Sequence, residues 1–178
     1  KKLMKEAGYE KGFEVTLTTP NDRYVNDAKI AEAVTKYLAK IGIKAKLDAK
    51  PKSIFFPEVS KGVLEFYLIG WFDGTFDMGR TYFKLAHTRD EAKGHGELNG
   101  ASYSDAEIDK LLASTAQIVD SAERGKTLQK LNRMAMEDKV LWIPLHYQED
   151  LYAMQKDRGI TFQPRPDQWM VYKEISKK

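Results

Sequence analysis

Near the start of the chain, two segments in which apolar and polar residues alternate are separated by a segment with the apolar spacing of a helix. Residues 13–17 (FEVTL) and 43–49 (IKAKLDA) alternate apolar and polar side chains, which is the period of a half-buried strand. Between them, residues 27–41 place apolar side chains on one helical stripe: Ile30, Val34, Tyr37, Leu38 and Ile41. A strand–helix–strand unit of this length predicts two parallel strands joined by a right-handed crossover.

A nearly continuous apolar run follows at residues 63–71 (VLEFYLIGW). Such a run is typical of a strand buried on both faces, so we predict a strand here, preceded by a turn and a short irregular helix over residues 51–62. The run leads directly into residues 72–77 (FDGTFD). Residues 84–103 are polar and rich in glycine, which predicts a long loop of the kind that usually has a functional role.

A pair of helices is predicted in the second half of the chain. Ser104 and Glu107 have the spacing of a capping box that opens a helix. The inner stripe of this helix comprises Ile108, Leu111, Leu112, Thr115 and Val119. Ser121 is placed to cap a second helix, whose inner face holds Leu128, Leu131 and Ala135. The two helices are expected to form a hairpin.

The two ends of the chain suggest a piece of a longer protein. Residues 1–8 resemble the last turns of a helix that ends at Gly8, so we expect the helix to start upstream. Residues 140–145 and 150–155 predict two further strands. Residues 159–178 show no clear period and contain two prolines, which suggests a segment that packs against structure outside this unit.

Composition narrows the functional classes. The chain has 178 residues, of which 42% are hydrophobic and 31% charged, as in an ordinary single globular unit. The net charge of +3 is spread without a basic block, which argues against binding to nucleic acid or to a membrane surface. Without cysteine there is no disulfide, thiolate ligand or cysteine nucleophile. No apolar run approaches the ~20 residues of a membrane span.

Motifs of the common catalytic sites are also missing from the sequence. There is no GxSxG, HExxH, GxGxxG or phosphate-binding GxxxxGKS/T pattern. His87 and His95 lie in the predicted long loop, but a zinc site needs three or four convergent ligands. We therefore interpret them as solvated loop histidines and predict neither a metal nor a cofactor.

Asp73 and Asp77 follow the end of the apolar run and allow three interpretations. A glycosidase needs two carboxylates about 5–10 Å apart. Aspartates beside a glycine also stabilise turns. Alternatively, they accept hydrogen bonds from a ligand while Trp71 offers an apolar wall. Ligands of open α/β sheets bind beyond the carboxyl ends of the strands, and residues 71–77 lie there.

Taken together, these segments resemble a known family. Along nearly the whole chain they are similar, in order, to the large solute-binding proteins of dipeptide, oligopeptide and nickel ABC importers. The similar segments are LMKEAGYEKGFEVTLTTP, IAEAVTKYLAKIGIKAKL, FYLIGWFDGTFD and YSDAEIDKLLASTAQIVDSAERGKTLQKLNRMAMEDKVLWIPLHY. Arg124 falls at the position of an arginine that is usual in the second helix of the hairpin.

The resemblance implies an α/β lobe of the type II periplasmic-binding-protein fold, a mixed sheet flanked by helices. Residues 1–158 would be a truncated carboxy-terminal ligand-binding lobe, and residues 159–178 would cross back toward the amino-terminal lobe. It implies a monomer, periplasmic or lipid-anchored outside the cell, that binds a peptide or similar small solute and delivers it to a membrane permease. No catalytic residue is implied. The expected site, named here the candidate wall, comprises Trp71, Phe72, Asp73, Gly74, Thr75 and Asp77, with Arg23 and Tyr24.

The chain departs from the family pattern at two positions. Peptide binders of the family commonly carry, three residues after the tryptophan, an aspartate that pairs with the peptide amino group. Here that position is Gly74. Some oligopeptide binders carry an arginine three residues before the tryptophan, where this chain has Leu68. Two other functions are alternatives to solute binding: a carbohydrate-active enzyme that uses Asp73 and Asp77, and a scaffold domain without a small ligand.

Overall fold

The computed structural model describes residues 1–177 and has an α/β fold. Its helices are α1 (Lys2–Glu6), α2 (Asp27–Ala39), α3 (Lys52–Lys61), α4 (Met78–Leu85), α5 (Ala106–Thr115) and α6 (Ser121–Arg133). Its strands are β1 (Phe13–Pro20), β2 (Ile43–Lys50), β3 (Phe66–Tyr67), β4 (Ile160–Thr161) and β5 (Ser176–Lys177). A π-helical turn, Met134–Asp138, continues α6, and short 3-10 turns lie at Lys156–Arg158 and Tyr172–Glu174.

The main sheet is parallel, with the strand order β2-β1-β3. Phe13 pairs with Ile43 at one end and Pro20 with Lys50 at the other, so β1 and β2 are in register along their full lengths. Helix α2 connects them and buries Ala31 completely. The predicted parallel pair with a helical crossover is confirmed. Both loops that follow β1 and β3 therefore start from the same edge of the sheet.

The long strand predicted over residues 63–71 is wrong. Only Phe66–Tyr67 pairs with β1, and the backbone N–H of Leu68 makes one further bond to the carbonyl of Thr18. Val63 is exposed, whereas Leu64 is buried beside α3 in a small core with Phe55 and Val59. An apolar run is equally compatible with an irregular segment that packs against a core, and here that alternative is found.

The segment after β3 contains a helix that the hydrophobic pattern did not reveal. Helix α4, Met78–Leu85, turns Tyr82 and Leu85 inward, and the loop begins only after it. That loop packs tightly around the buried side chain of Asn99. The amide nitrogen of Asn99 donates to the carbonyls of His87 and Tyr103. In the predicted long loop, the hydrogen bonds of this buried side chain thus take the place of regular backbone pairing.

The helical hairpin is present, but its caps are shifted. Asp105 rather than Ser104 caps α5, accepting bonds from the backbone N–H of Glu107 and Ile108. Asp120 rather than Ser121 caps α6. Because α5 ends at Thr115, Val119 does not belong to its buried stripe and is 98% exposed.

The larger core lies between the hairpin and α4. Its buried members are Tyr82, Ala86, Ile108, Leu112, Leu128, Leu131, Met134 and Ala135. Trp142 packs on this cluster, with its ring centre 5.1 Å from that of Tyr82. The core therefore ties α4, which follows the candidate wall, to the hairpin.

The strands predicted over residues 140–145 and 150–155 are wrong. Those residues carry no strand, and Tyr147 and Leu151 are exposed. A strand needs a partner for its backbone groups, and none pairs with these residues within the described part of the chain. The described tail pairs only with itself, through β4 and β5. No helix among residues 1–177 has both the length and the apolar character to span a bilayer.

Asp105 makes the stability of the hairpin sensitive to acid. Lys139 lies 3.1 Å from its Oδ2 and, with the helix N–H groups, lowers the pKa of Asp105 from 3.8 to about 2. A depressed pKa contributes stability that is present above pH 3.8 and lost as the pH falls toward 2.

We expect Asp105→Asn, which keeps a capping oxygen but loses the charge, to lower the free energy of unfolding at neutral pH by about 1–2 kcal/mol. The difference from the parent should shrink as the pH falls through this window, as measured by urea unfolding at several pH values. A difference that stays constant would show that the charge of Asp105 contributes nothing.

Candidate functional site

Two loops meet at the carboxyl edge of the parallel sheet, where the candidate wall was predicted. Residues 21–26 follow β1, and residues 70–77 follow β3. The hydroxyl of Tyr24 donates to the carbonyl of Gly70 over 2.9 Å. A side chain at Gly70 would place its Cβ 2.8 Å from the Tyr24 ring, so glycine permits this close approach. The structure thus brings Tyr24 beside the segment that begins with Trp71.

The first loop is ordered by one buried carboxylate. Asp27 accepts hydrogen bonds from the backbone N–H groups of Arg23 and Tyr24, each at 3.0 Å. The Arg23 guanidinium lies over the Tyr24 ring, 5.2 Å from its centre. Burial raises the pKa of the Tyr24 hydroxyl above its usual value of 10.

Trp71 presents part of its ring to solvent at this edge. Its indole Nε1 donates to Thr81 Oγ1 over 3.1 Å, which fixes the ring against α4, and the residue is 37% exposed. Phe72 and Phe76 are 46% and 63% exposed and pack edge to face, with 6.2 Å between ring centres. The segment therefore has three exposed aromatic residues, two of which pack against each other.

Asp73 organises a tight turn. Its Oδ1 accepts from the backbone N–H and the hydroxyl of Thr75, and its Oδ2 lies 3.7 Å from Arg80 Nε. Only 8% of its side chain is exposed. The Thr75 hydroxyl, more than any other group, lowers the pKa of Asp73. The turn interpretation of this aspartate is the one that its contacts match.

Asp77 is bound by its own helix and by the hairpin. Its Oδ1 accepts from the N–H of Gly79 over 2.8 Å, which caps α4. Arg124 Nη2 lies 3.0 Å from each of its carboxylate oxygens, and Arg124 Nε donates to the carbonyl of Thr115. A Cβ at Gly79 would lie 3.0 Å from Arg124 Nη2, so the small residue lets the ion pair form.

These contacts weaken the glycosidase interpretation. A general acid of that mechanism needs a raised pKa, whereas the pKa of Asp73 is lowered. Asp77 is paired with an arginine and occupies a helix cap. Both carboxylates are therefore engaged in contacts within the protein.

Comparison with known proteins decides the family. The model of the bacterial extracellular solute-binding proteins, family 5 Middle, matches residues 1–93, which is more than half of the 178 residues. The chain belongs to this family. The resemblance seen in the sequence is therefore confirmed, and the family is one of solute-binding proteins rather than of enzymes.

Individual relatives agree with the family assignment. The glutathione-binding protein GsiB of Escherichia coli (strain K12) is 28% identical over 163 residues, which cover 88% of this chain and 31% of that protein. The solved structure of the periplasmic binding protein DppA from Helicobacter pylori, in complex with peptide STSA, is 26% identical with a TM-score of 0.66. It is matched over 77% of this chain and 26% of its own.

A further solved structure is AgaA from A. tumefacien R10 in complex with agropinic acid, with 29% identity and a TM-score of 0.65. The match covers 76% of this chain and 27% of that one. These similarities confirm the α/β architecture expected for the family. This family-5 chain spans about a third of the length of the curated relatives that it matches.

The histidines of this family-5 chain are packed rather than solvated, contrary to the prediction. His87 and His95 have ring centres 4.3 Å apart, and both contact the Phe83 ring. Burial, and then the neighbouring His87, lowers the pKa of His95. Within residues 1–177, no group of three or more potential ligand side chains is placed to hold a metal.

Arg124 holds residues 70–77 against the hairpin through its ion pair with Asp77. The predicted site did not include this arginine. We expect Arg124→Met to lower the free energy of unfolding by about 1–3 kcal/mol, because Asp77 loses a charged partner that is about one-third exposed. Lys126→Met, at an exposed position on the same helix, should stay within about 0.5 kcal/mol. Equal urea midpoints for the two variants would contradict a stabilising role for the pair.

Proposed function

We propose that this chain is part of the carboxy-terminal lobe of an exported solute-binding protein that serves an ABC importer. The family match carries the proposal, together with the exposed aromatic rings at the carboxyl edge of the sheet, where ligands of α/β proteins bind. Residues 1–158 form the lobe in this proposal. Residues 159–178 cross toward the other lobe, and the exposure of Trp169 (72%) and Tyr172 (76%) supports this.

The mechanism is binding and release without covalent chemistry. A solute that bridges both lobes favours their closed arrangement by as much as its affinity for the closed state exceeds its affinity for the open state. In this lobe, Trp71, Phe72 and Tyr24 contact the solute in the proposal. The other members of the candidate wall have supporting roles: Asp73 and Thr75 hold the turn, Gly74 leaves its surface open, Asp77 anchors the segment to the hairpin, and Arg23 borders it.

A peptide or a similar small molecule is the proposed solute. The names of the relatives support it, because GsiB is a glutathione-binding protein and DppA was solved with the peptide STSA. The AgaA complex, which holds agropinic acid, extends the range to other small organic acids. The proposed partner is the permease of the importer, and the proposed location is the periplasm or the outer face of the cell membrane, with the protein acting as a monomer.

Native mass spectrometry of the full-length protein, purified from its host, tests the proposal. We expect a bound species with the mass of a small peptide or comparable solute, which is released unchanged on denaturation. A protein that carries nothing and binds none of a broad solute collection would contradict solute binding. Chemical conversion of the solute during incubation, or cleavage of chromogenic glycosides, would instead favour the enzyme.

A further inference from the structure

We propose that the solute presents a flat apolar group, and not an ammonium, to the candidate wall. The inference rests on the proposed function and concerns the chemical class of the ligand at that site. It follows from two observations: the aspartates of the segment that begins with Trp71 are already engaged, and the large side chains left exposed there are aromatic.

Four aspartates lie in the two loops or directly beside them, and all of them accept bonds from the protein itself. Asp22 accepts from the backbone N–H of Lys52 over 2.7 Å. Asp27 accepts from three backbone N–H groups and is buried. The remaining two, Asp73 and Asp77, are bound as described above. An ammonium that approached Asp27, Asp73 or Asp77 would have to compete with groups of the protein that already bind the carboxylate, whereas the exposed Asp22 is engaged through one oxygen only.

The two aspartates of the segment are also neutralised by arginines. Arg80 accompanies Asp73, and Arg124 accompanies Asp77. A ligand cation would compete with an arginine that is covalently part of the site and already positioned. Both arginines would be left without their partners, and their positive charges would repel the ligand.

The groups that do face solvent favour a different ligand. Trp71, Phe72 and Phe76 are exposed, and Lys84 Nζ, which is paired with Glu97, lies 5.9 Å from the centre of the Trp71 ring. Arg23 adds an exposed positive charge beside Tyr24. Aromatic rings bind flat apolar groups through their large contact area.

Phe76 supplies an independent indication that the aromatic surface is functional. Its φ of 57° places a bulky non-glycine residue in the left-handed region. This conformation is strained for a residue other than glycine, and residues held in it are concentrated at functional sites. Phe76 is nevertheless 63% exposed: its backbone N–H donates to the Asp73 carbonyl and its ring packs edge to face on Phe72, so the strained turn holds the ring at the surface.

Two peptide pools test the ligand class on the full-length protein. One contains tripeptides Ala-Xaa-Ala with free amino termini, and the other contains the same peptides after N-acetylation. Bound peptides are separated by size exclusion and quantified by mass spectrometry. We expect peptides with aromatic Xaa to be enriched and to be recovered from both pools within about threefold, because no ammonium contact is lost on acetylation.

A preference for the free-amine pool on the order of 10- to 150-fold would overturn the inference, since that is the effect of a hydrogen bond to a charged group. Recovery from neither pool would also overturn it. The native mass spectrum detects a bound solute of any chemical class. It therefore shows whether only the inferred ligand class is wrong or whether the protein binds no solute.

The variant Phe76→Asn separates binding from folding. Asparagine tolerates the left-handed region, so the melting temperature of the ligand-free protein should stay the same or rise. Recovery of the aromatic peptides should fall at least about tenfold, as expected when an exposed contact ring is removed. Unchanged recovery would show that the Phe76 ring does not contact the solute.

Discussion

Replacing Leu112 by alanine is expected to lower the free energy of unfolding by about 2–5 kcal/mol. Leu112 lies on α5 with no exposed surface and belongs to the same buried cluster as Ile108 and Leu131. Truncation removes apolar contacts and leaves a cavity that the hairpin and α4 can fill only in part. Because α4 follows the candidate wall directly, the same change should also loosen residues 70–77.

The matched control is Lys110→Ala on the exposed face of the same helix. It keeps the helix propensity high and removes no buried group, so its effect should stay within about 0.5 kcal/mol. Urea unfolding of both variants gives the comparison. Midpoints that coincide would show that the assigned inner face of α5 is wrong.

The first strand–helix–strand unit could be predicted because its two periods are clear. β1 and β2 alternate strictly over most of their lengths, and α2 carries one apolar stripe. The helix caps were displaced by one residue, since Ser104 and Asp105 are both good capping residues and stand side by side. Only the geometry shows which oxygen reaches the helix N–H groups.

Elements that depend on distant partners could not be predicted. Residues 63–71 and 140–145 have the composition of strands, yet most of them find no strand beside them in the described chain. Helix α4 was missed because its start is set by Asp77, which the sequence presents as part of a loop. Backbone pairing is a property of the whole fold and leaves little trace in a local pattern.

The geometry of the candidate wall was predictable only in part, for a similar reason. A tryptophan at the end of an apolar run beside a parallel sheet predicts the ligand edge, so Trp71 and its neighbours could be named as candidates. The roles of the aspartates could not, because the Asp77–Arg124 pair joins residues 47 positions apart. Phe76 was overlooked as well, since a left-handed conformation cannot be read from a phenylalanine.

Trp71→Ala in the full-length protein is expected to weaken solute binding by about 2 kcal/mol or more, which is roughly 30-fold. The indole is held by its bond to Thr81 and exposes its ring at the edge where the two loops meet. Because the ring is already held in place in the free protein, its removal loses contact area with the solute and saves no conformational entropy on binding. Isothermal titration with the solute released from the host-purified protein gives the measurement.

Two further variants distinguish solute contacts from supporting contacts. Asp73→Asn and Asp77→Asn should lower the melting temperature of the ligand-free protein, because each carboxylate holds the turn or the helix start. Trp71→Ala should instead lose affinity with little change in melting temperature. The opposite pattern, in which an asparagine variant loses affinity at an unchanged melting temperature, would place that carboxylate in direct contact with the solute.

The most direct measurement of the central claim is the indole N–H signal of Trp71 in spectra of the isotopically labelled full-length protein. Trp142 serves as an internal reference, because it packs on the hairpin core beside Tyr82. On addition of the solute, the account predicts that the Trp71 signal shifts while that of Trp142 stays in place. A solute that binds without moving the Trp71 signal would contradict the assignment of residues 71–77 as the wall of the binding site.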